Sequence, residues 1–292
     1  MCNNETLPVF CSGIVEEIQK KSQSVFSLKV KGVFDNEKNY PLPGQFYLVQ
    51  KEGFFLGRPI SLYKFHKEKC ILEFLVLIKG RGTEALSRLK GNDRLEILGP
   101  LGNSFPLPDT GRVALVGGGI GVAPVAGFAS VLSEGSYDFF ASFRGKPFGL
   151  DYIFWGFSGE NSQENLPENL FISTEDGSTG TKGILPAIFN KKTLEEKQYS
   201  AVYACGPEPM LRYVRDLCRE AGVQSYLSLE KRMACGMGAC LGCRVLTTQG
   251  NKRCCKEGPV FKGEEVIFED SKPVNPVFVS GGRSQNAGAL KT

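Results

Sequence analysis

The chain reads as a multi-domain β plus α/β protein: an antiparallel β-barrel, then a parallel α/β domain, then a small cysteine-rich C-terminal domain. Three observations predict this. Short strands of alternating polarity fill the first third of the 292 residues. Apolar strands then alternate with helices through glycine-rich turns. Five of the ten cysteines crowd into 235–255. At this length, with 41% hydrophobic residues, the chain has material for more than one core.

In the first third, "VFSLKVK" (25–31) alternates apolar Phe26, Leu28 and Val30 with polar Ser27, Lys29 and Lys31, the period of a half-buried strand. "GQFYLVQ", "RPISLYKF" and "CILEFLVLI" are further strands, with turns at "DNEKNYPLPG" and "FHKEK". Only "TEALSRLK" (83–90) looks helical. The character changes at "PLPDTGR" (106–112). Beyond it "RVALVGG", "YDFFASF", "NLFIST", "ILPAIF" and "YSAVYACGP" read as apolar strands, with helices at "VAPVAGFASVLSE" and "EPMLRYVRDLCREAG". A last strand, "QSYLSLE", leads into the cysteines, which end near "FKGEEVIFED". Residues 271–292 are polar and turn-rich and read as a tail. The expected divisions are therefore 1–108, 109–223, 224–270 and 271–292.

Composition excludes several classes. The net charge of +4, from 35 basic and 31 acidic residues spread along the chain, is too mild for a nucleic-acid binder. The start, "MCNNETLPVFCSG", lacks the basic and apolar regions of a signal peptide. Val113–Ser133 is uncharged over 21 residues, long enough to span a bilayer, but its five glycines and one proline suit a strand, a loop and a helix better. The expectation is a soluble, cytoplasmic protein.

The cysteines run Cys235-x4-Cys240-x2-Cys243-x11-Cys255, with Cys254 as the other candidate for the fourth position. Structural zinc sites favour two close pairs, whereas a first gap of four residues is the spacing of plant-type [2Fe–2S] loops. The small residues between the thiols let the backbone curl round an inorganic core and aim N–H groups at sulfur. His66 is the only histidine, which excludes a Rieske centre and a Cys2His2 finger. Disulfides are disfavoured by the clustering. Cys2, Cys11, Cys70 and Cys218 read as ordinary small hydrophobes.

"VALVGGGIGVAP" follows a strand and opens a helix, so its glycines allow a diphosphate close to a helix N-terminus. Any strand–turn–helix needs glycine, and the loop alone is weak evidence. "YACGPEPML" (203–211) and "STEDGSTGTKG" (173–183) add two more turns at carboxyl ends of strands, where open α/β sheets bind ligands. In the barrel, "GRPISL" sets Arg58 three residues before Ser61; on one strand they face opposite sides unless Pro59 bends the chain. "LVLIKGRGT" ends a strand in a glycine turn that a plain helix N-cap at Thr83 would also explain.

The order "RPIS", "GRGT", "GPLGNSF", "GGGIGVAP", "ACGPEPML", "ACGMGACLGC", "CKEGPVF" resembles the ferredoxin–NADP reductase superfamily, and within it the electron-transfer subunits of type B dihydroorotate dehydrogenase. The likeness runs from about Val9 to Asp270. It implies an FAD-binding barrel, an NAD-binding α/β domain and a [2Fe–2S] domain. Arg58, Pro59, Ile60, Ser61, Leu75, Val76, Leu77, Gly82 and Thr83 would hold FAD. Gly117, Gly118, Gly119, Gly121, Thr174, Asp176, Gly177, Cys205, Gly206, Pro207 and Glu208 would receive NAD+ as substrate, with Cys205 near the nicotinamide. Cys235, Cys240, Cys243 and Cys255 would ligate the cluster; in the family the last ligand sits just before a charged pair and "GPVF", which selects Cys255. Cys254 stands where the family pattern expects an aliphatic residue. The implied partner is an FMN-containing dihydroorotate dehydrogenase catalytic subunit, in a heterotetramer of two catalytic and two electron-transfer subunits serving pyrimidine biosynthesis. No side chain would act as acid, base or nucleophile: nicotinamide exchanges two electrons, a cluster carries one, and flavin converts between them. The alternatives are a subunit of a ferredoxin-linked NADP oxidoreductase or sulfide dehydrogenase, and, in a different class, a zinc-binding adaptor on a degenerate reductase scaffold.

Overall fold

The structure, a computed structural model, describes residues 8–32, 37–154 and 166–269. The tail at 271–292 and Cys2 lie outside the described residues. Six antiparallel strands form the barrel: β1 (Val9–Lys20), β2 (Val25–Lys31), β3 (Phe46–Gln50), β4 (Arg58–His66), β5 (Ile71–Leu77) and β6 (Arg94–Leu101). They close in the order β1-β2-β5-β4-β3-β6. The inward side chains include Phe26, Leu28, Val30, Tyr47, Leu72 and Phe74. The short helix α1 (Arg81–Ser87) follows β5.

Strict alternation fails in one informative place. Ser27, expected to face solvent, is buried. It pairs with Leu75, which packs into the core that the barrel shares with the next domain. Both faces of β2 and β5 are covered there, so a half-buried pattern understates the burial.

The second domain is built on a seven-stranded sheet, ordered β10-β9-β8-β7-β11-β12-β15. Its parallel strands are β7 (Val113–Gly118), β8 (Tyr137–Phe143), β9 (Leu170–Thr174), β10 (Thr181–Lys182), β11 (Ala201–Cys205) and β12 (Gln224–Ser228). Helix α2 (Val122–Ala129) is apolar all round because it is wedged between sheet and barrel. Its Phe128 ring stands 5.1 Å from Phe105 of the barrel exit and 4.7 Å from Tyr203 of β11. The charge-free stretch 113–133 is thus strand, turn and helix, and among the described residues no helix is long and apolar enough to cross a membrane. On α4 (Glu208–Ala221), Leu211, Val214, Leu217 and Cys218 make one buried stripe at helical spacing.

Two local expectations need correction, and one helix was not expected. "ILPAIF" forms a 3-10 turn at Leu185–Ala187, not a strand: Pro186 has no N–H to give a ladder. Helix α3 (Lys191–Lys197) follows, capped by Asn190, whose side chain accepts from Thr193 N at 3.3 Å. β4 also runs through Pro59 as one strand, with no break there.

The C-terminal part adds a hairpin of β13 (Arg244–Thr247) and β14 (Gly250–Arg253), then β15 (Val260–Lys262). β15 returns to the large sheet and pairs antiparallel with β12. Gln224–Ser228 is therefore a strand of the nucleotide-type sheet, and the chain leaves that sheet only at Leu229. One core contains Leu48 and Leu101 of the barrel, Val202 and Leu227 of the sheet, and Cys243, Val245 and Cys254 of the last segment.

Candidate cofactor cavity and cysteine loop

A cavity of about 800 Å³ opens where the three parts meet. All nine barrel residues singled out in the sequence line it: Arg58, Pro59, Ile60, Ser61, Leu75, Val76, Leu77, Gly82 and Thr83. Arg58, at the first position of β4, reaches the same cavity as Ser61 although no bend intervenes. Arg58 Nη1 donates to Leu56 O, and its guanidinium carbon lies 5.3 Å from the centre of the Phe54 ring. A Cβ on Gly82 would run into that guanidinium, so only glycine lets the turn approach Arg58 this closely. Thr83 Oγ1 accepts from Lys79 N at 2.9 Å and Gly80 N at 3.3 Å, which fixes the turn.

Of the eleven residues singled out in the sheet loops, Gly121 and Cys205 line the cavity. A Cβ on Gly121 would sit 2.7 Å from Gly206 N, so the first glycine turn and the "ACGP" turn pack backbone to backbone. The Cys205 thiol is buried, and burial pushes it up to about 12, so it stays protonated at neutral pH. Gly117, Gly118, Gly119, Thr174, Asp176, Gly177, Gly206, Pro207 and Glu208 stand at the carboxyl edge of the sheet, outside the lining. The Thr174 hydroxyl donates to Thr179 O at 2.8 Å and is committed to its own turn. Asp176 Oδ1 accepts from Ser178 N at 2.9 Å, and that N–H holds the carboxyl below its usual range. Glu208 pairs with Arg212 at 3.2 Å.

Sequence reasoning set Lys231 and Arg232 beside the cysteines but did not place the strip Leu229–Met233 in the cavity, where it forms one wall with Pro259. "LEKRM" carries no motif, and only its position immediately before Cys235 could have flagged it. Lys79 Nζ and Glu230 Oε2 lie 3.7 Å apart across the mouth. Phe54, also missed, is four residues before Arg58 in a loop with no periodicity.

The cysteine loop continues this strip. Cys240 N donates to Cys235 Sγ at 3.4 Å, and this N–H, with the Met237 and Ala239 amides, draws the Cys235 thiol down to about 6. The buried sulfurs of Cys243 and Cys255 lie 3.3 Å apart, and Cys255 N donates to Cys243 Sγ at 3.4 Å. The thiols thus stand as two pairs. Among the described residues no three His, Cys, Asp or Glu side chains gather round one ion position. Two pairs suit a binuclear centre with two thiolates per iron better than one tetrahedral zinc. Cys254 is directed elsewhere: its Sγ donates to Leu229 O at 3.2 Å, and burial pushes the thiol up to about 12. Met237 and Leu241 expose 59% and 65% of their surface beside the thiols.

Residues 230–267 match the iron–sulfur cluster binding domain of dihydroorotate dehydrogenase B. The dihydroorotate dehydrogenase B (NAD(+)) electron transfer subunit of Clostridium acetobutylicum is 41% identical, over 88% of this chain and 96% of the relative. The chain belongs to this family of electron transfer subunits. The family's Clostridium perfringens member is also 41% identical, over 77% of this chain and 87% of its own. Among solved structures, an NADH-dependent reduced ferredoxin-NADP oxidoreductase superposes with a TM-score of 0.72 at 27% identity, covering 87% of this chain and 89% of the other. The ferredoxin reductase of carbazole 1,9a-dioxygenase shares the fold, with a TM-score of 0.58 at 21% identity over 74% of this chain and 67% of its own. The family has a catalytic partner by definition, since its members are named as electron transfer subunits.

Proposed function

We propose that this chain conducts electrons from the FMN of a dihydroorotate dehydrogenase catalytic subunit to NAD+, with [2Fe–2S] and FAD as its carriers, in an assembly of two catalytic and two electron-transfer subunits. The observation that carries this reading is the continuity of the cavity with the cysteine loop: the wall strip Leu229–Met233 runs directly into Cys235. Flavin, when bound, supplies the exchange between single electrons and hydride. The division at 108, 223 and 270 is part of the proposal, with β12 as the seam between the second and third parts.

The residues have distinct tasks. Arg58 offers a charged donor to a diphosphate, and Ser61 a hydroxyl. The backbone of Leu75, Val76 and Leu77 offers amides along the cavity wall. The apposed turns at Gly117–Gly121 and Cys205–Glu208, with the turn at Thr174–Gly177, form the edge that would admit the nicotinamide nucleotide. Cys205, protonated and buried, fills space there and exchanges no proton near neutrality. Cys235, Cys240, Cys243 and Cys255 are the proposed iron ligands. The 41% identity to named electron transfer subunits favours this family's partner over a ferredoxin-linked one, where the likeness is 27%.

The test is reconstitution. The isolated chain should carry flavin and iron–sulfur absorbance and pass electrons from NADH to a dye, yet leave dihydroorotate unoxidised. Addition of an FMN-bearing catalytic subunit should produce NAD-linked oxidation. Dihydroorotate oxidation by the isolated chain, free of any FMN protein, sinks the reading.

A further inference from the structure

The motif "GPLGNSF" at the end of the barrel has no part in the cavity lining, yet its asparagine bonds a distant turn through both side chain and backbone. Asn103 Nδ2 donates to Glu257 O at 3.0 Å and to Val260 O at 2.8 Å. Asn103 Oδ1 accepts from Val260 N at 2.9 Å. Its backbone N donates to Gly258 O at 2.6 Å. One residue thus captures the turn 257–260 at both of its ends, about 155 positions along the chain.

That turn adjoins both the cysteines and the cavity. Cys255 lies two residues before Glu257 and faces Cys243. Pro259, inside the turn, is cavity wall. Pro259 O accepts from Leu229 N at 2.9 Å, and Leu229 O accepts from the Cys254 thiol at 3.2 Å. Leu229 is also cavity wall. The chain of contacts therefore runs from the barrel through Asn103 to the turn, then to the wall strip and to the residue next to Cys255. Without the Asn103 side chain the turn would keep the backbone bond from Asn103 N to Gly258 O, the Leu229 and β15 bonds, and the apolar core shared with Leu48 and Leu101, but it would lose all three side-chain bonds to the segment that leaves the barrel.

We infer that Asn103 is a positioning residue for electron transfer: it clamps the last cysteine and the rear wall of the cavity to the barrel, and so sets the separation between flavin site and cluster. The inference rests on the two-carrier reading above. An amide is suited to the task because it offers two donors to two carbonyls and one acceptor to an N–H, which neither Asp nor Leu can match.

The test uses the full chain with its cofactors, comparing wild type with Asn103→Ala and Asn103→Asp. Asp keeps the size and the acceptor for Val260 N–H but turns its second oxygen on the Glu257 and Val260 carbonyls, so it removes the two donors at constant shape. Should either variant fail to fold, Asn103→Ser, small and uncharged with one donor left, takes its place. The readouts are NADH-to-dye turnover, the rate at which NADH reduces the cluster, the cluster's EPR spectrum, and amide exchange at 255–262. Dye turnover should hold within about twofold, while cluster reduction slows by on the order of tenfold or more, the scale of a misplaced reacting group. Exchange at 255–262 should quicken, and the EPR spectrum should broaden. Wild-type cluster reduction and exchange in either variant overturns the clamp. So does an equal fall in both rates with loss of FAD, which would mark a merely structural asparagine. A wild-type chain lacking flavin or cluster signals would instead defeat the two-carrier reading itself, before any variant is compared.

Discussion

At the scale of single residues, adjacent cysteines have opposite fates. Cys255 faces Cys243, whereas Cys254 is bonded to Leu229 O. Cys255→Ser should abolish the iron–sulfur absorbance and EPR signal while FAD remains, and Cys254→Ser should keep both. The reverse pattern in the same spectra would overturn the assignment. From sequence only the family pattern before "GPVF" favoured Cys255; spacing alone left the two open, because side-chain direction depends on where the hairpin β13–β14 ends, and no periodicity announces that hairpin. The Arg58–Gly82 contact was half legible: both residues were chosen, but not that they touch. Gly82→Ala must displace the guanidinium. If that arginine binds the diphosphate, losing a charge-assisted bond of roughly 1.5–3 kcal/mol weakens FAD binding about ten- to more than a hundredfold. Flavin retention after gel filtration, matched against Arg58→Ala, measures this; full retention in both variants removes the role.

At the scale of elements, legibility followed burial. Strands β2, β5 and β8 announced themselves by apolar periodicity, and α4 by its stripe of Leu211, Val214, Leu217 and Cys218. Helix α3 did not, because only Leu194 of its seven residues is buried. β15 is three residues long and is a strand only because β12 offers an edge, a tertiary fact. The α4 stripe also has a pH signature. Burial pushes the Cys218 thiol up to about 12, well above the usual thiol range. The unfolded chain therefore releases this proton above about pH 9 while the folded one keeps it. That contribution to stability is full below about pH 9 and falls by about 1.4 kcal/mol per pH unit above it, until the folded thiol titrates. Urea unfolding between pH 8 and 10 should show a shallower decline for Cys218→Ala than for wild type; equal slopes would contradict the buried-thiol account.

At the scale of the whole molecule, two side chains near the cysteines expose apolar surface, Met237 and Leu241. An electron-transfer subunit must bring its outlet against its partner, and a desolvated apolar contact beside the outlet does so. Leu241 holds a φ of +59°, a conformation asparagine adopts more readily. Leu241→Asn should therefore fold at least as well as wild type and retain NADH-to-dye activity. It should still bind the FMN-bearing catalytic subunit more weakly, as titration of the coupled reaction would reveal. Unaltered affinity would move the contact elsewhere.

β15 has a consequence for how the protein is made. It covers the last free edge of β12, and it is held there from a segment that begins beside Cys255. A newly made chain that has not yet acquired iron has less to hold this segment in place. Should it swing away, β12 presents a bare ladder of N–H and C=O groups, a template on which further copies stack. Cells starved of iron should accordingly yield polymers of this chain rather than a monomer coloured by flavin alone, and sizing of material from iron-poor and iron-replete cultures would tell the two apart. Iron supply would then act as quality control, deciding whether the newborn chain survives as a solitary molecule.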